Sequence, residues 1–506
     1  MDNNALYLKP GYRSRTEPLY YAAETVAGIT HQPVVYDFAA YLAKQYGCST
    51  MIDLGCGRAS KLAKLHPEVH ILGVDFGENL EYCREHHSFG EWISHDFELG
   101  PLTSISRTTA VSAVVVCADV VEHLVDPSHL LETIRNLLED APVAILTTPE
   151  RDLCRGPDDI GPPANQFHVR EWSLSEFQLL LESAGLEVLF HGLTFDNDVD
   201  WKKHTILSVI RRRREIPPPP SDFRVIALVG AYNEEDVIES FLEHTIRQGV
   251  DVLLLDNWST DRTAERAARF LNRGLIGIRK FPEEGPSAHH EWHRMLRKKE
   301  ELASYLAADW FIHVDPDELR ESPWPKVTLR EALYRVDYEG FNAVNHTCVT
   351  FPPTGSGYRD DLPLEQQFQY FEFGVHAGHL VQVKAWKRQP TRVECADSGG
   401  HEARFAGRRV YPFRFLLKHY PIRSPEHGRK KVFQERRPRF SPELRQRGWH
   451  IQYDHILEDE AFVKDPSTLS HFRPETFYSE YLVERLSTIG IWLPGAAAPM
   501  EYRGQE

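Results

Sequence analysis

The residues of this chain best suited to chemistry are glycines and carboxylates placed where short apolar runs stop. In Ile52-Asp53-Leu54-Gly55-Cys56-Gly57 two glycines follow directly on a strand-like run. Such glycines let backbone approach a ligand closely and open a helix whose N-terminal amides face it. Asp75 closes the next apolar run, roughly 20 residues after Asp53, the spacing at which an acid meets ribose hydroxyls. Asp96, in Ser94-His95-Asp96-Phe97, closes the third, within reach of an adenine amino group. Far along the chain, Asp315-Pro316-Asp317 follows the run Trp310 to Val314. Side chains alternate across a pleat, so Asp315 and Asp317 are expected on one face; two like charges held together call for a hard divalent cation such as Mn²⁺ or Mg²⁺.

The glycine count alone does not name the first ligand. A dinucleotide site wants a third glycine at Ser60, a methyl-donor site at Ala59, and both positions hold small residues. Asp53 favours the methyl donor, because a carboxylate before the first glycine can receive the amino group of S-adenosylmethionine, a cation that NAD lacks. An NAD-binding domain that modifies a nucleotide sugar is the alternative. An inactive scaffold is another, although stability alone does not call for carboxylates clustered at strand ends.

The elements that must position these residues are α/β in rhythm. Apolar runs at Met51 to Leu54, Ile71 to Val74, Val114 to Val116 and Val143 to Leu146 alternate with polar helical stretches, as in a doubly wound parallel sheet. A helix is expected over Glu171 to Ala184, then strands at Leu186 to His191 and Thr205 to Ile210. Arg211 to Arg214 and Pro217 to Pro220 read as a semi-rigid spacer. A second rhythm follows: strands at Val225 to Val229, Val252 to Leu255, Ile276 to Arg279 and Trp310 to Val314, with helices over Glu235 to Gln248 and Asp261 to Arg273. The expected organisation is an N-terminal extension (1–32), a Rossmann-like domain (33–210), a linker (211–222), a second doubly wound domain (223–490) and a C-terminal tail (491–506).

Taken together, Thr50 to Leu189, with Val121-Glu122-His123-Leu124-Val125-Asp126-Pro127 and Phe167-His168-Val169-Arg170-Glu171-Trp172, resembles class I S-adenosylmethionine-dependent methyltransferases. The resemblance covers about the first 210 residues and places Asp53, Gly55, Gly57, Asp75, Asp96 and Asp119 at the cofactor. Asp119-Val120-Val121-Glu122-His123 resembles the acid-x-x-Glu-His segment of quinone-type O-methyltransferases, where these side chains can hold a divalent metal near an acceptor hydroxyl. His123 or His168 is then the expected base; capping and charging of the next helix by Glu122 and His123 is an equally ready reading.

Ala231-Tyr232-Asn233-Glu234-Glu235, Asp256-Asn257-Trp258-Ser259-Thr260-Asp261 and Asp315-Pro316-Asp317, each after a strand, resemble in order the family 2-like glycosyltransferases of GT-A fold. That resemblance implies a nucleotide sugar held by Asn233, Glu234, Asp256 and Asp315, and a metal on Asp315 and Asp317. In Ala396-Asp397-Ser398-Gly399-Gly400-His401-Glu402, His401 is expected to complete the metal shell, with His419 as a rival ligand, and Asp397 or Glu402 to act as base, with Asp360 and Asp361 as further candidates. The implied whole is a methyltransferase fused to a glycosyltransferase acting on a glycan or lipid-linked glycan.

Composition sets bounds. At 506 residues, 42% hydrophobic and 11% aromatic, the chain has material for two or three folded domains. A net charge of −16 disfavours a nucleic-acid partner, yet Lys384 to Arg439 is locally basic and suits a diphosphate, a lipid phosphate or peripheral association with a membrane face. Seven scattered cysteines without a CxxC pair, and the absence of a signal-like start or a membrane-length apolar run, point to the cytoplasm.

Overall fold

The computed structural model describes residues 6–22, 29–355, 357–446 and 454–491. By internal contacts the chain forms two units, one of Met1–Glu215 with Glu475–Glu506, the other of Ile216–Pro474. Except for Ile491, the expected C-terminal tail lies outside the described residues, as do 1–5 and 23–28 of the N-terminal extension.

In the first unit, strands β1 (Thr50–Leu54), β2 (His70–Asp75), β3 (Gly90–Ser94), β4 (Ala113–Ala118), β5 (Ala144–Pro149), β6 (Leu186–Thr194) and β7 (Thr205–Arg212) form one sheet in the order β3-β2-β1-β4-β5-β7-β6. Neighbours among β1 to β5 run parallel; β7 runs antiparallel to both β5 and β6. All five residues of β1 are buried, as expected where both faces of a parallel strand are covered. The strand order reverses between β1 and β4, and ligands of such sheets lie beyond the strand ends at that switch.

Two expected boundaries move. The helix expected from Glu171 begins at Leu174, because Ser173 and Glu176 form a reciprocal capping box and leave Glu171 outside. The spacer expected from Arg211 begins later, since β7 runs to Arg212 and Arg211 forms an ion pair with Glu187 on β6. A further difference concerns 475–490, expected in the second domain. The helices Phe477–Glu480 and Leu482–Ser487 pack on β6, Leu482 and Leu486 are fully buried, and Glu484 pairs with Lys203 at 2.5 Å. Gly192 on β6 permits this approach: a Cβ there would stand 2.4 Å from the Ser479 carbonyl oxygen.

The second unit holds β8 (Val225–Ala231), β9 (Asp251–Asp256), β10 (Leu275–Lys280), β11 (Trp310–Val314), β12 (Glu318–Glu321), β13 (Ala343–Val344), β14 (His346–Thr350), β15 (Tyr370–Phe373), β16 (Ala385–Lys387), β17 (Phe415–His419) and β18 (Ser470–His471). One sheet has the order β10-β9-β8-β11-β16-β13, parallel through β11 and antiparallel beyond; the other has the order β12-β17-β14-β15-β18. Asp315-Pro316-Asp317 is the turn that leaves the first sheet and enters the second, closed by Glu318 N donating to Asp315 O at 3.0 Å. Pleat alternation therefore does not set the direction of the two acids, contrary to the strand-end argument from sequence. Among the described residues no helix is long and apolar enough to cross a membrane.

Candidate functional site

The ends of β1, β2 and β4 in the first unit open on a cavity of about 1020 Å³, lined in part by Gly55, Gly57, Asp75, Asp96, Asp119, His123 and His168. The turn after β1 needs its glycine: Gly55 has φ +83°, and a Cβ there would stand 2.4 Å from Val120 Cγ2. Gly57 N donates to Asp75 Oδ2 and Phe76 N to Asp75 Oδ1, both at 2.8 Å, so the acid and the glycine turn fix each other. Asp96 accepts from Glu98 N at 2.9 Å and stays half-buried on the wall.

Asp53 is placed differently from expectation. It is fully buried and does not line the cavity; its Oδ2 accepts from the Tyr36 hydroxyl at 3.0 Å, and Tyr36 forms the wall in its place. Burial pushes the Asp53 carboxyl up to about 7, with the Tyr36 hydrogen bond and Lys61 pulling the other way. Oδ1 of Asp53 and Oδ1 of Asp119 are buried and accept no hydrogen bond. Lys61, its charge disfavoured by burial and favoured by Asp119 and Asp53, sits over the Tyr36 ring at 5.0 Å. Tyr36 and Lys61 were not singled out from sequence; they carry no motif and meet Asp53 only in the fold.

Glu122, His123 and His168 come together, with one ligand atom from each within 4.8 Å of the others. His123 Nδ1 faces the Phe167 carbonyl oxygen at 3.0 Å. A carbonyl only accepts, so Nδ1 carries the proton and Nε2 presents a lone pair. Burial, then neighbouring His168, lowers the His123 pKa to about 4, which keeps the ring neutral near pH 7. His168 is held at both nitrogens, Nδ1 by Glu171 at 2.7 Å and Nε2 by Asn165 at 2.8 Å. Glu122 accepts from Thr148 at 3.0 Å through Oε2, leaves Oε1 without a partner, and is pushed well above the usual carboxylate range by burial and then Asp119. A buried glutamate of this kind does not serve as an exposed helix charge.

In the second unit the acids after β8 and β11, and Asn257 after β9, are met by cations from 423–439. Arg423, fully buried, donates to Glu234 Oε2 at 2.8 Å and to both Asp236 oxygens. Lys431 donates to Asp317 Oδ2 at 2.7 Å, and Arg436 stands 3.7 Å from Glu234 Oε1. Arg439 donates to Asn257 Oδ1 at 2.8 Å and lies 3.8 Å over the Tyr232 ring. Asn233, at φ +55°, binds Glu435 and Thr260, and Asp256 pairs with Lys280. The basic segment legible in the sequence thus meets Glu234 among the expected nucleotide-sugar residues, and Asp317 of the expected metal pair, whereas Asp256 is met by Lys280 from β10.

Asp315 and Asp317 take separate surroundings. Burial and Glu318 raise Asp315, opposed by Lys299 and Lys384, and its Oδ1 has no partner. Burial also raises Asp317, but Lys431, His419 and Arg423 outweigh it and hold the carboxyl far below its ordinary value. Among the described residues, the groups of three able to hold a metal include neither acid and not His401, which bonds Gln382 at 3.2 Å. The two expected bases are engaged elsewhere: Asp397 is exposed and pairs with Arg297 at 2.8 Å, and Glu402 pairs with Arg404 and Arg408. Arg408 and Arg404 keep Glu402 below its ordinary pKa despite burial, which weakens it as a proton acceptor. Asp360 and Asp361 are also tied, to Arg266 and Arg359.

The strand order and glycine turn of the first unit define a Rossmann-like methyltransferase fold. Residues 34–191 match the family described as "Methyltransferase domain". A probable S-adenosylmethionine-dependent methyltransferase of Mycolicibacterium smegmatis is 27% identical over 202 residues, covering 38% of this chain and 76% of the relative. Among solved structures the chain is similar to the small RNA methyltransferase HEN1 (17% identity, 40% of this chain and 28% of that one, TM-score 0.27). It is also similar to a SAM-dependent methyltransferase from Aquifex aeolicus (16% identity, 36% and 89%, TM-score 0.26). The first unit therefore contains a class I S-adenosylmethionine-dependent methyltransferase domain.

The residues present fit that cofactor. At Gly55 there is no room for a Cβ, Asp75 retains acceptor capacity on two fixed oxygens, and Asp119 offers an unpartnered oxygen beside the cavity. Gly55, Gly57, Asp75, Asp96 and Asp119 would hold it.

Proposed function

We propose that this chain is a bifunctional transferase. The first unit transfers a methyl group to a hydroxyl of a glycan or related acceptor. The second transfers a sugar from a nucleotide sugar, with Mn²⁺ or Mg²⁺, in the making of a surface polysaccharide or glycolipid.

The observation that carries the hydroxyl acceptor is the His123 lone pair on the same cavity as Asp75 and the glycine turn. S-adenosylmethionine, when bound, supplies an electrophilic methyl on sulfur. The chain's own residues must then take a proton from the acceptor oxygen. His123 Nε2 is neutral and available, while His168 is fixed by Asn165 and Glu171 and acts as its packing neighbour, ring centroids 4.9 Å apart. Glu122 Oε1 and His123 Nε2 also suit a divalent cation that would acidify the same hydroxyl, the residues then serving as ligands. Tritiated methyl transfer to glycan acceptors, against thiol and amine acceptors, tests this; counts in the thiol or amine acceptor alone contradict it.

The glycosyl-transfer reading is supported by the parallel order β10-β9-β8-β11 with an acid beyond three of its strands, and by Lys431, Arg436 and Arg439 gathered over them, a charge pattern suited to a nucleoside diphosphate. Hydrolysis or transfer of radiolabelled UDP-, GDP- and dTDP-sugars with Mn²⁺ tests it. Absence of turnover with every donor contradicts it.

A further inference from the structure

The second unit holds another cluster of metal-ligating side chains, in which Cys348 and His379 belong to neither transfer reaction and His419 also faces Asp317. Cys348 on β14, His419 at the end of β17 and His379 in the short helix Ala377–Leu380 each present one ligand atom, and these atoms lie within 4.8 Å of one another. The fold sets this meeting. β14 and β17 pair in parallel with Cys348 opposite Leu417 and Thr350 opposite His419. Residues two apart share a face, so the thiol and the imidazole stand on the same side of the sheet.

His379 is brought over them by a close approach of backbone. Gly374 N donates to the Cys348 carbonyl oxygen at 2.9 Å, and a Cβ on Gly374 would stand 2.6 Å from the His379 Cβ. Nδ1 of His379 is buried and has no hydrogen-bond partner. Among the described residues neither the His379 nor the His419 ring makes a hydrogen bond, whereas the buried rings of His244 and His346 each face a backbone carbonyl. Two imidazoles without hydrogen-bond partners, turned towards a buried thiol, lack the satisfaction that His244 and His346 have.

We propose that Cys348, His379 and His419 bind a zinc-class transition-metal ion, with a water as fourth ligand. One thiolate and two imidazoles form a borderline-soft set that suits Zn²⁺ or Co²⁺ and not the oxygen-seeking Mg²⁺. Metal–sulfur and metal–nitrogen bonds of roughly 2.3 and 2.0 Å put tetrahedral ligand atoms roughly 3.5 Å apart, so closure takes side-chain movements of about an ångström. Binding releases the Cys348 thiol proton to solvent. The ligand set differs from that of the glycosyl-transfer reading, whose metal would sit on the carboxylates Asp315 and Asp317, although His419 also faces Asp317.

The test is anaerobic titration of the metal-free full chain with Co²⁺. One equivalent producing tetrahedral visible bands and a thiolate-to-cobalt charge-transfer band, displaced by Zn²⁺, is the expected result. Cys348→Ser removes the charge-transfer band, and His379→Gln weakens Co²⁺ binding roughly tenfold or more. Cobalt at Glu122, His123 and His168 has no sulfur and produces no such band. A charge-transfer band that survives Cys348→Ser, or an unchanged affinity in His379→Gln, overturns the proposal, as does the absence of the band in the unsubstituted chain. Should Cys348→Ser not fold, the affinity of His379→Gln decides.

Discussion

Lys431 Nζ meets Asp317 Oδ2 at 2.7 Å, and both side chains are almost wholly withdrawn from water. Removing one partner of a buried pair leaves the other charge uncompensated, at a cost of about 3–5 kcal/mol. Lys431→Met is therefore expected to lower stability by that order in urea denaturation. Mn²⁺ should restore part of the loss if Asp317 is a metal ligand; a loss that Mn²⁺ leaves unchanged counts against the metal role of Asp317.

A nucleotide panel reads the same site without turnover. A ligand that binds the native state raises apparent stability by mass action, about 2.7 kcal/mol at a hundred times its dissociation constant. One of UDP, GDP and dTDP with Mn²⁺ is expected to raise Tm, and Asp315→Asn should remove the rise. A rise that persists in Asp315→Asn excludes that acid from the nucleotide-metal site.

The Asp53 carboxyl gives a pH signature. Its folded pKa is about 7 against an ordinary 3.8, so between these values the native state holds a proton that the unfolded chain has lost. Stability from this group is full below about pH 4 and is lost as pH rises through about 7. Asp53→Asn should flatten that decline, so that the variant gains on the unsubstituted chain between pH 5 and pH 8 in urea unfolding. An unchanged slope would show that Asp53 is not held protonated in the fold.

The parallel strands β1, β2, β4 and β5 of the first unit and β8 to β11 of the second were legible in the sequence because they are apolar runs bounded by turn residues, whereas the sheet β12-β17-β14-β15-β18 was not; the glycine turn with Asp75 was legible because its spacing is set by one strand-helix-strand unit. What escaped depends on contacts distant in sequence. Tyr36 meets Asp53 from a preceding helix, and Lys431 meets Asp317 from 114 positions away. Asp315 and Asp317 fell on a turn between two sheets because β12 changes sheet, which alternation in a single strand does not foretell. Cys348, His379 and His419 have no local spacing to betray them, being joined by strand pairing and one glycine.

Gly55→Ala tests the cradle. At φ +83° with Val120 Cγ2 2.4 Å from the new methyl, the substitution combines backbone strain with overpacking and is expected to cost about 1–3 kcal/mol. Urea unfolding measures it, and a loss below about 0.5 kcal/mol would show that the turn relaxes freely.

His123→Gln should lower methyl transfer by about 10²–10⁴-fold while leaving S-adenosylhomocysteine binding within about twofold, since the ring acts on the acceptor and not on the cofactor. A variant that loses both together would place His123 in cofactor binding.

The central claim is that the glycine turn and Asp75 form a methyl-donor site. Calorimetric titration of the full chain with S-adenosylhomocysteine, beside NAD, and repeated on Asp75→Asn, tests it most directly. The predicted result is saturable binding of S-adenosylhomocysteine, no heat from NAD, and an affinity roughly 10–100-fold weaker in the variant, the order expected for losing a hydrogen bond to a charged group. Binding of NAD with silence towards S-adenosylhomocysteine, or an affinity unmoved by Asp75→Asn, would contradict it.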